Sequence, residues 1–232
     1  MNANTALTTI EIEISDCFDC ERLVKYRESV ASTKRKSFRE ETYWGRAVPG
    51  FGDSQARFVV VGLAPAAHGA NRTGRIFTGD RSGDWLYESL HRYGFANQPE
   101  SHSRSDGLTL RDAYVTCSAH CVPPNNQPSR EELSHCRQKF LKKELLALQK
   151  TQVILCLGAI AYQSVLSCLT QPGGPRPPAF RHGAEYQLPL GPTLLLSYHC
   201  SQQNTFTGKL TRPLFYSVFE RARDILDSNG RS

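Results

Sequence analysis

The sequence has no apolar run long enough to cross a membrane, because its longest apolar segments are only as long as a strand. Its N-terminus is polar and acidic from Thr9 to Asp16, unlike a secretory signal peptide. It contains no internal repeat and neither glycine spacing of the common nucleotide-binding loops, which disfavours a nucleotide-binding protein. We therefore expect a cytoplasmic protein without a membrane partner.

Positive charge is in excess in this chain of 232 residues, with 28 Lys and Arg against 22 Asp and Glu and a net charge of +6. This balance fits a polyanionic partner without establishing one. Basic residues crowd at 35–39, 72–81 and 209–212. The first group has the character of a solvated face, whereas the other two flank loops rich in glycine and are candidates for phosphate contact.

Strand-like and helix-like segments alternate along the chain. Apolar runs predict strands at 57–63, 114–118, 153–157 and 194–197, with a short edge strand at 186–190. Helices are predicted at about 21–39, 84–93, 129–150, 159–169 and 214–226. The pattern predicts one α/β domain over residues 13–228, with a central four-stranded parallel sheet flanked by helices in three α/β/α layers. Residues 1–12 are expected to be disordered or loosely attached.

Three loops at the predicted carboxyl ends of strands carry most of the polar chemistry. They are the glycine-rich stretch 62–83, the turn 120–128 and the segment 199–208, which starts at His199. Parallel strands gather such loops at one edge, where open α/β sheets bind ligands. We expect the three loops to form one site.

Eight cysteines are too many for a reduced protein to carry without a role. Cys17 and Cys20 have the spacing of a metal-binding pair, and the turn between Cys121 and Cys136 can direct both toward that pair. These four form the predicted ligand set, and their spacing suits zinc and iron–sulfur equally. The others lie in apolar patterns or, like Cys200, lack the neighbours of an acyl-transfer site.

Four motifs together resemble the uracil-DNA glycosylase superfamily, specifically its type-5 branch with an iron–sulfur cluster. They are Gly62-Leu-Ala-Pro-Ala, Arg75-Ile-Phe-Thr-Gly-Asp-Arg-Ser-Gly, Cys121-Val-Pro-Pro-Asn-Asn and His199-Cys-Ser-Gln-Gln-Asn-Thr-Phe-Thr-Gly. The resemblance covers about residues 17–226. It implies hydrolysis of the bond between a damaged base and deoxyribose in DNA containing uracil or other lesions. It also implies a structural 4Fe–4S cluster on Cys17, Cys20, Cys121 and Cys136.

The resemblance assigns roles to residues of these loops, because a base must be extruded from the duplex before it can be cleaved. His199 would stabilise the departing base anion, and Asp80 or Asn126 would orient water, with Asp80 also facing the sugar cation. Helix capping is a rival role for Asp80, a simple turn for Asn126 and core packing for Phe77, the predicted stacking ring. The expected base-binding set is Gly62, Leu63, Ala64, Phe77, Cys117 and His199.

The same comparison predicts the DNA contacts and the range of substrates. The expected DNA-binding set is Arg75, Ser201, Asn204, Phe206, Lys209, Leu210 and Arg212, with Phe206 or Leu210 as the wedge in the vacated stack. The segment Ala64–Ala67 lacks the water-activating group of other branches, and Cys117 stands where relatives read uracil with an Asn. We therefore expect a broad range that includes hypoxanthine.

Two further expectations concern mechanism and assembly. No lysine lies at a strand exit, so the enzyme should be monofunctional, and a monomer is expected. The alternative is a non-catalytic iron–sulfur or zinc DNA-binding protein. Such a protein would have no need of Asp80, Asn126 and His199, so base release that depends on these side chains would decide for the enzyme.

Overall fold

The computed structural model describes residues 2–171, 173, 176–189 and 191–229, in which a β-sheet lies between two layers of helices. The strands are β1 (Phe51–Gly52), β2 (Phe58–Gly62), β3 (Ala113–Cys117), β4 (Val153–Leu157), β5 (Glu185–Gln187) and β6 (Thr193–Ser197). The helices are α1 (Ala3–Ser15), α2 (Glu21–Thr33), α3 (Ala70–Thr73), α4 (Arg81–Arg92), α5 (Arg130–Cys136), α6 (Lys142–Ala147), α7 (Ala159–Leu169), α8 (Gln202–Phe206) and α9 (Arg212–Asn229). A π-helical segment, Arg137–Leu141, joins α5 to α6.

The sheet has the strand order β1-β3-β2-β4-β6-β5. Its four inner strands are parallel, and every residue in them is buried, as expected for strands covered by helices on both faces. The predicted four-stranded parallel core is confirmed. Two short antiparallel strands extend it: β5 lies near the predicted edge strand at 186–190, of which Leu190 is outside the described residues, and β1 was not predicted.

Each face of the sheet has its own helices and its own core. Helices α4 and α9 contribute Leu86 and Phe215 to one core, together with Val60 of β2. Helices α6 and α7 contribute Leu145 and Tyr162 to the other core. None of the helices within the described ranges is long and apolar enough to cross a membrane.

The amino-terminal segment is ordered, so the predicted disorder over residues 1–12 is wrong for the described residues. Helix α1 starts where the Asn2 side chain accepts a hydrogen bond from the Thr5 backbone nitrogen at 2.8 Å. Leu7, Ile10 and Ile14 are buried, which explains why this helix packs against the domain. Helix α2 ends at Thr33, earlier than the predicted 39.

Candidate functional site

The loops after β2 and β3 are joined at the carboxyl edge of the sheet. The Gly62 carbonyl accepts hydrogen bonds from the Ser118 backbone nitrogen at 3.0 Å and from its hydroxyl at 3.1 Å. The Ala119 nitrogen donates to the Leu63 carbonyl at 2.9 Å. Since parallel strands end at the same edge, the loop after β6 begins there as well. This arrangement brings the three predicted loops together.

Phe77 and His199 meet across this edge, with ring centroids 5.7 Å apart and planes 25° apart. A Cβ atom at Gly62 would lie 2.7 Å from the Phe77 ring, so the ring lies directly over the end of β2. Phe77 is only 7% exposed and packs in the core of that face. Both of its proposed roles are therefore compatible with its position.

The loop that carries Phe77 is held by a buried arginine. Arg75 donates to the Thr78 hydroxyl at 2.9 Å, the Ser101 hydroxyl at 2.8 Å and the Asp106 carboxylate at 2.5 Å. Burial acts to raise the pKa of Asp106, but the hydrogen bond from Arg75 and three backbone N–H groups hold it well below its usual range. Arg75 is 4% exposed, so the prediction that it contacts DNA is wrong in this structure.

Asp80 caps helix α4, as the rival interpretation predicted. Its Oδ1 accepts hydrogen bonds from the backbone nitrogens of Ser82 at 2.9 Å and Gly83 at 3.1 Å. No described residue donates to Oδ2, which occupies the space that a side chain at Gly69 would fill. Burial raises the pKa of Asp80 and outweighs the lowering by the two backbone hydrogen bonds. One carboxylate oxygen therefore holds the helix while the other remains available.

His199 lies at the start of the loop after β6. Burial lowers the pKa of its imidazole to about 4, so the ring is neutral near pH 7. Its Nδ1 is buried and has no hydrogen-bond partner among the described residues. The Asn204 amide donates to the His199 carbonyl at 2.8 Å. Asn204 thereby fixes the backbone of the histidine, and its contact with DNA stays a prediction.

Asn126 lies on the loop after β3. It is exposed, adopts a positive φ of 56°, and its backbone nitrogen donates to the Pro123 carbonyl at 3.2 Å. Within the described part of the chain, no hydrogen bond or ring contact connects it to Asp80 or His199. The structure brings Phe77, Asp80 and His199 to one edge and leaves Asn126 on the adjoining loop.

The remaining predicted base contacts differ in their surroundings. Cys117 pairs in register with Gly62, is 1% exposed, and donates from its thiol to the Ala119 carbonyl at 3.1 Å. Ala64 packs against the hydrophobic cluster around the cysteines, and Leu63 is half-buried. These residues form the floor beneath the loops.

The loop after β6 presents one exposed aromatic ring. Phe206 is 65% exposed on α8, and the Arg81 guanidinium lies 4.8 Å from its ring centroid. Leu210 is fully buried in the core, so its prediction as a wedge is wrong. Lys209 remains exposed, with its ammonium 4.4 Å from the Tyr198 ring centroid.

The two other predicted DNA contacts, Arg212 and Ser201, differ in whether the protein already engages their side chains. Arg212 forms an ion pair with Glu88 and lies 4.9 Å from the Trp85 ring centroid. Because its charge is compensated within the protein, Arg212 is a weaker phosphate candidate than Lys209. Ser201 is half-buried at the residue before α8, and its side chain makes no capping hydrogen bond.

The four predicted cysteine ligands line one cavity. Cys17 and Cys20 come from the N-terminal segment, Cys121 from the turn after β3 and Cys136 from the last position of α5. Burial raises the pKa of Cys20 to about 11 and of Cys136 to about 12. In the residues that the structure describes, no group of three or more His, Cys, Asp and Glu side chains has the geometry to hold a single metal ion.

Two features of the site went unpredicted. Arg27 of α2 is fully buried beside the cavity, and its NH1 donates to the Cys121 sulfur at 3.1 Å. Its position in the helix that follows Cys20 was the only sequence signal. Gly69, which makes room for Asp80, stands in a stretch with several other glycines and alanines, so nothing in the sequence distinguishes it.

Comparisons with known proteins point to one family. The family model of the uracil DNA glycosylase superfamily matches residues 49–223. A relative from Mycobacterium leprae is 45% identical over 220 residues, which cover 95% of this chain and 96% of the relative. One from Thermus thermophilus is 48% identical over 90% of this chain and 94% of its own. One from Pyrobaculum aerophilum is 43% identical over 89% and 88%. Each of these relatives is named a type-5 uracil-DNA glycosylase.

Proposed function

This chain belongs to the uracil-DNA glycosylase superfamily, and from that membership we propose that it removes uracil from DNA by hydrolysing the N-glycosidic bond. The observation that carries the mechanism is the meeting of Phe77, Asp80 and His199 at the carboxyl edge of the sheet. These side chains supply an aromatic surface, a carboxylate and a neutral imidazole. That combination suits a reaction in which a base leaves as an anion and a sugar becomes cationic.

Base binding depends on the space around the end of β2. Gly62 has no side chain, so a planar ring can approach the backbone where the Phe77 ring already lies. A base flipped from the duplex loses its stacking, at a cost of a few kcal/mol, and recovers part of it against an aromatic ring. We assign Phe77 to this stacking role.

His199 acts on the leaving group. Its lowered pKa, near 4, keeps the imidazole neutral, so one ring nitrogen donates a hydrogen bond without requiring a buried positive charge. A donor aimed at the carbonyl oxygen of the base becomes more favourable as negative charge develops there. Asn204 contributes by holding the backbone of His199.

Asp80 acts on the sugar side. Its Oδ1 is fixed by the start of α4, which orients the carboxylate, and Oδ2 is left to accept a proton from water or to face the cationic sugar. The capping role and the catalytic role are therefore compatible, because they use different oxygens. Asn126 is the second candidate for positioning water, from the loop after β3.

The DNA strand is engaged by the loop after β6. Phe206 is the exposed ring available to fill the gap left by the flipped base, and Lys209 and Arg81 provide positive charge beside it. Of the two wedge candidates only Phe206 remains, because Leu210 is buried in the core.

The range of bases follows from the floor of the site. Cys117 offers a thiol already bonded to the Ala119 carbonyl, so it supplies no strong hydrogen-bond pair for the uracil edge. A site rejects a wrong base when that base would leave buried polar groups of the protein without hydrogen-bond partners. The Cys117 thiol is not such a group, because it already donates to the Ala119 carbonyl. We propose that hypoxanthine and other damaged bases are also released, by a monomeric enzyme that forms no Schiff base.

A 4Fe–4S cluster on Cys17, Cys20, Cys121 and Cys136 is the cofactor we propose. The donor set fits, because the four cysteines line one cavity and the buried Arg27, which has two donors without a partner, contacts the Cys121 sulfur there. Four cysteines are the usual ligands of such clusters. When bound, the cluster supplies a cross-link between the N-terminal segment and the turn after β3.

A single-turnover assay on duplexes with one defined lesion tests the function. Uracil release at a rate far above that of the same duplex without enzyme is expected, with slower release of hypoxanthine. A His199→Gln, Asp80→Asn double variant should bind the duplex and release almost no base. Binding without release by the native protein would favour the non-catalytic alternative, and a complex trapped by borohydride would contradict the monofunctional mechanism.

A further inference from the structure

Arg27 is a buried cation without an anionic partner in the described protein. Its side chain is fully buried, and none of the ion pairs formed by the described residues includes it. NH1 donates to the Cys17 carbonyl at 3.0 Å and to the Cys121 sulfur at 3.1 Å. Nε and NH2 are buried and have no hydrogen-bond partner. A guanidinium in this state is strongly unfavourable unless an anion lies next to it.

The Arg27 guanidinium lies beside the cysteine cavity. The Phe18 ring, from the loop between Cys17 and Cys20, lies 4.8 Å from the guanidinium carbon. Cys121, which NH1 contacts, lines the cavity itself. The other cation nearby, Lys139, is partly exposed, forms an ion pair with Asp19 and has its ammonium 3.9 Å from the Cys17 sulfur. Arg27 is thus the cation that lacks a carboxylate.

We propose that Arg27 is the counter-ion of the iron–sulfur cluster and donates its free N–H groups to the sulfur atoms there. A cluster held by four thiolates carries net negative charge, which supplies the missing partner. Hydrogen bonds to cluster sulfur atoms stabilise the more negative, reduced form and so raise the reduction potential. This inference depends on the cofactor proposed above and adds a positioning residue that none of the sequence motifs contains.

Arg27 also ties the cysteine cavity to the loop after β2. Its backbone carbonyl accepts a hydrogen bond from the buried Asn71 amide of α3 at 3.2 Å. Helix α3 belongs to the same loop as Asp80, and the backbone of Gly69 at its start lies against the Asp80 carboxylate. The residue that compensates the cluster therefore also braces the loop that holds the carboxylate.

The test uses the purified full-length protein with its native metal content. Iron, sulfide and zinc are measured first, followed by the reduction potential and the chelator concentration that removes half of the iron. Arg27→Met is expected to shift the potential to a more negative value and to lower that chelator concentration about 10- to 100-fold, as for other partners of metal ligands. Arg27→Lys keeps the charge but loses the fork of donors, and should fall between Arg27→Met and the native protein. Lys25→Met removes an exposed cation from the same helix and should match the native protein.

The outcomes separate the two proposals. An unchanged potential and chelator resistance in Arg27→Met would overturn the role of Arg27. If Arg27→Met does not fold, a native potential in Arg27→Lys overturns the hydrogen-bonding role, and a lowered one supports it. A native protein that contains zinc or no iron overturns the counter-ion role as stated, while uracil release by that same preparation shows that the glycosylase function survives.

Discussion

The rings of Phe77 and His199 lie 5.7 Å apart and nearly parallel, although they belong to loops that follow different strands. One ring is proposed to stack on the extruded base and the other to donate to its oxygen. Because they contact each other, a change in one disturbs the placement of the other. Substitutions at the two positions are expected to be non-additive, with the double variant losing less activity than the sum of the single losses in free energy.

The pKa of His199 predicts a dependence of stability on pH. The folded-state pKa is lowered from 6.5 to about 4, so between these values the unfolded chain binds a proton that the folded protein does not. The stability contributed by the neutral histidine is therefore complete above about pH 6.5 and is lost as the pH falls toward 4, by roughly 3 kcal/mol. Free energies of unfolding measured across this range should show a shallower slope for His199→Gln. Equal slopes in both proteins would contradict the buried neutral imidazole.

Two substitutions at Asp80 separate capping from catalysis. Asn caps helices about as well as Asp but carries no charge. The free energy of unfolding of Asp80→Asn should therefore lie within about 0.5 kcal/mol of the native value, while most of the rate of base release is lost. Asp80→Ala should lose the same rate and about 1 kcal/mol of stability as well. Single-turnover kinetics and denaturant unfolding measure the two effects. A native rate in Asp80→Asn would leave the residue with a capping role alone.

Phe206 and Leu210 should respond oppositely to truncation. Phe206→Ala removes an exposed ring, so stability should stay within about 0.5 kcal/mol while base release from duplex DNA slows more than release from single strands. Leu210→Ala empties a core position and should cost about 2–5 kcal/mol of stability. Thermal unfolding and release assays on both kinds of substrate distinguish them. Loss of activity on single strands to the same extent would argue against a wedge.

The salt dependence of DNA binding should distinguish Arg75 from Lys209. Each neutralised phosphate contributes about 0.9 to the slope of log K against log salt concentration. Lys209→Ala should lower the slope by roughly that amount, because its ammonium is exposed beside the loop after β6. Arg75→Ala should leave the slope unchanged and destabilise the protein by about 3–5 kcal/mol, since it leaves Asp106 without its buried partner. A reduced slope for folded Arg75→Ala would restore its predicted role at phosphate.

The parallel core was predictable because burial on both faces forces a continuous apolar run, as in Val59, Val60 and Val61. The buried stripe of α1 was also present in the sequence, since Leu7, Ile10 and Ile14 follow helical spacing, but the surrounding polar residues suggested a loose segment. Periodicity therefore succeeded for the buried strands and for helices such as α4, and it was overlooked in α1.

The site was only partly predictable, because the partner of a side chain can lie far along the chain. Arg75 lies among glycines and resembles a phosphate contact, yet it is neutralised by Asp106 from a loop without regular structure. Leu210 follows an exposed loop directly, and only the fold shows that the chain returns to the core there. The grouping of the four cysteines was easier to predict, since the spacing of Cys17 and Cys20 marks a pair and all four line one cavity.

The placement of α1 has a consequence for the sensitivity of the protein to oxygen. Ile10 and Ile14 of this helix belong to the same buried cluster as Cys121 and Cys136, while Phe77, Asp80 and His199 lie at the carboxyl edge of the sheet. Substitution of Ile10 or Ile14 by a smaller residue should therefore alter how readily oxygen reaches the proposed metal centre. The stability of the proposed centre in air thus depends on the packing of α1 as well as on the four cysteines.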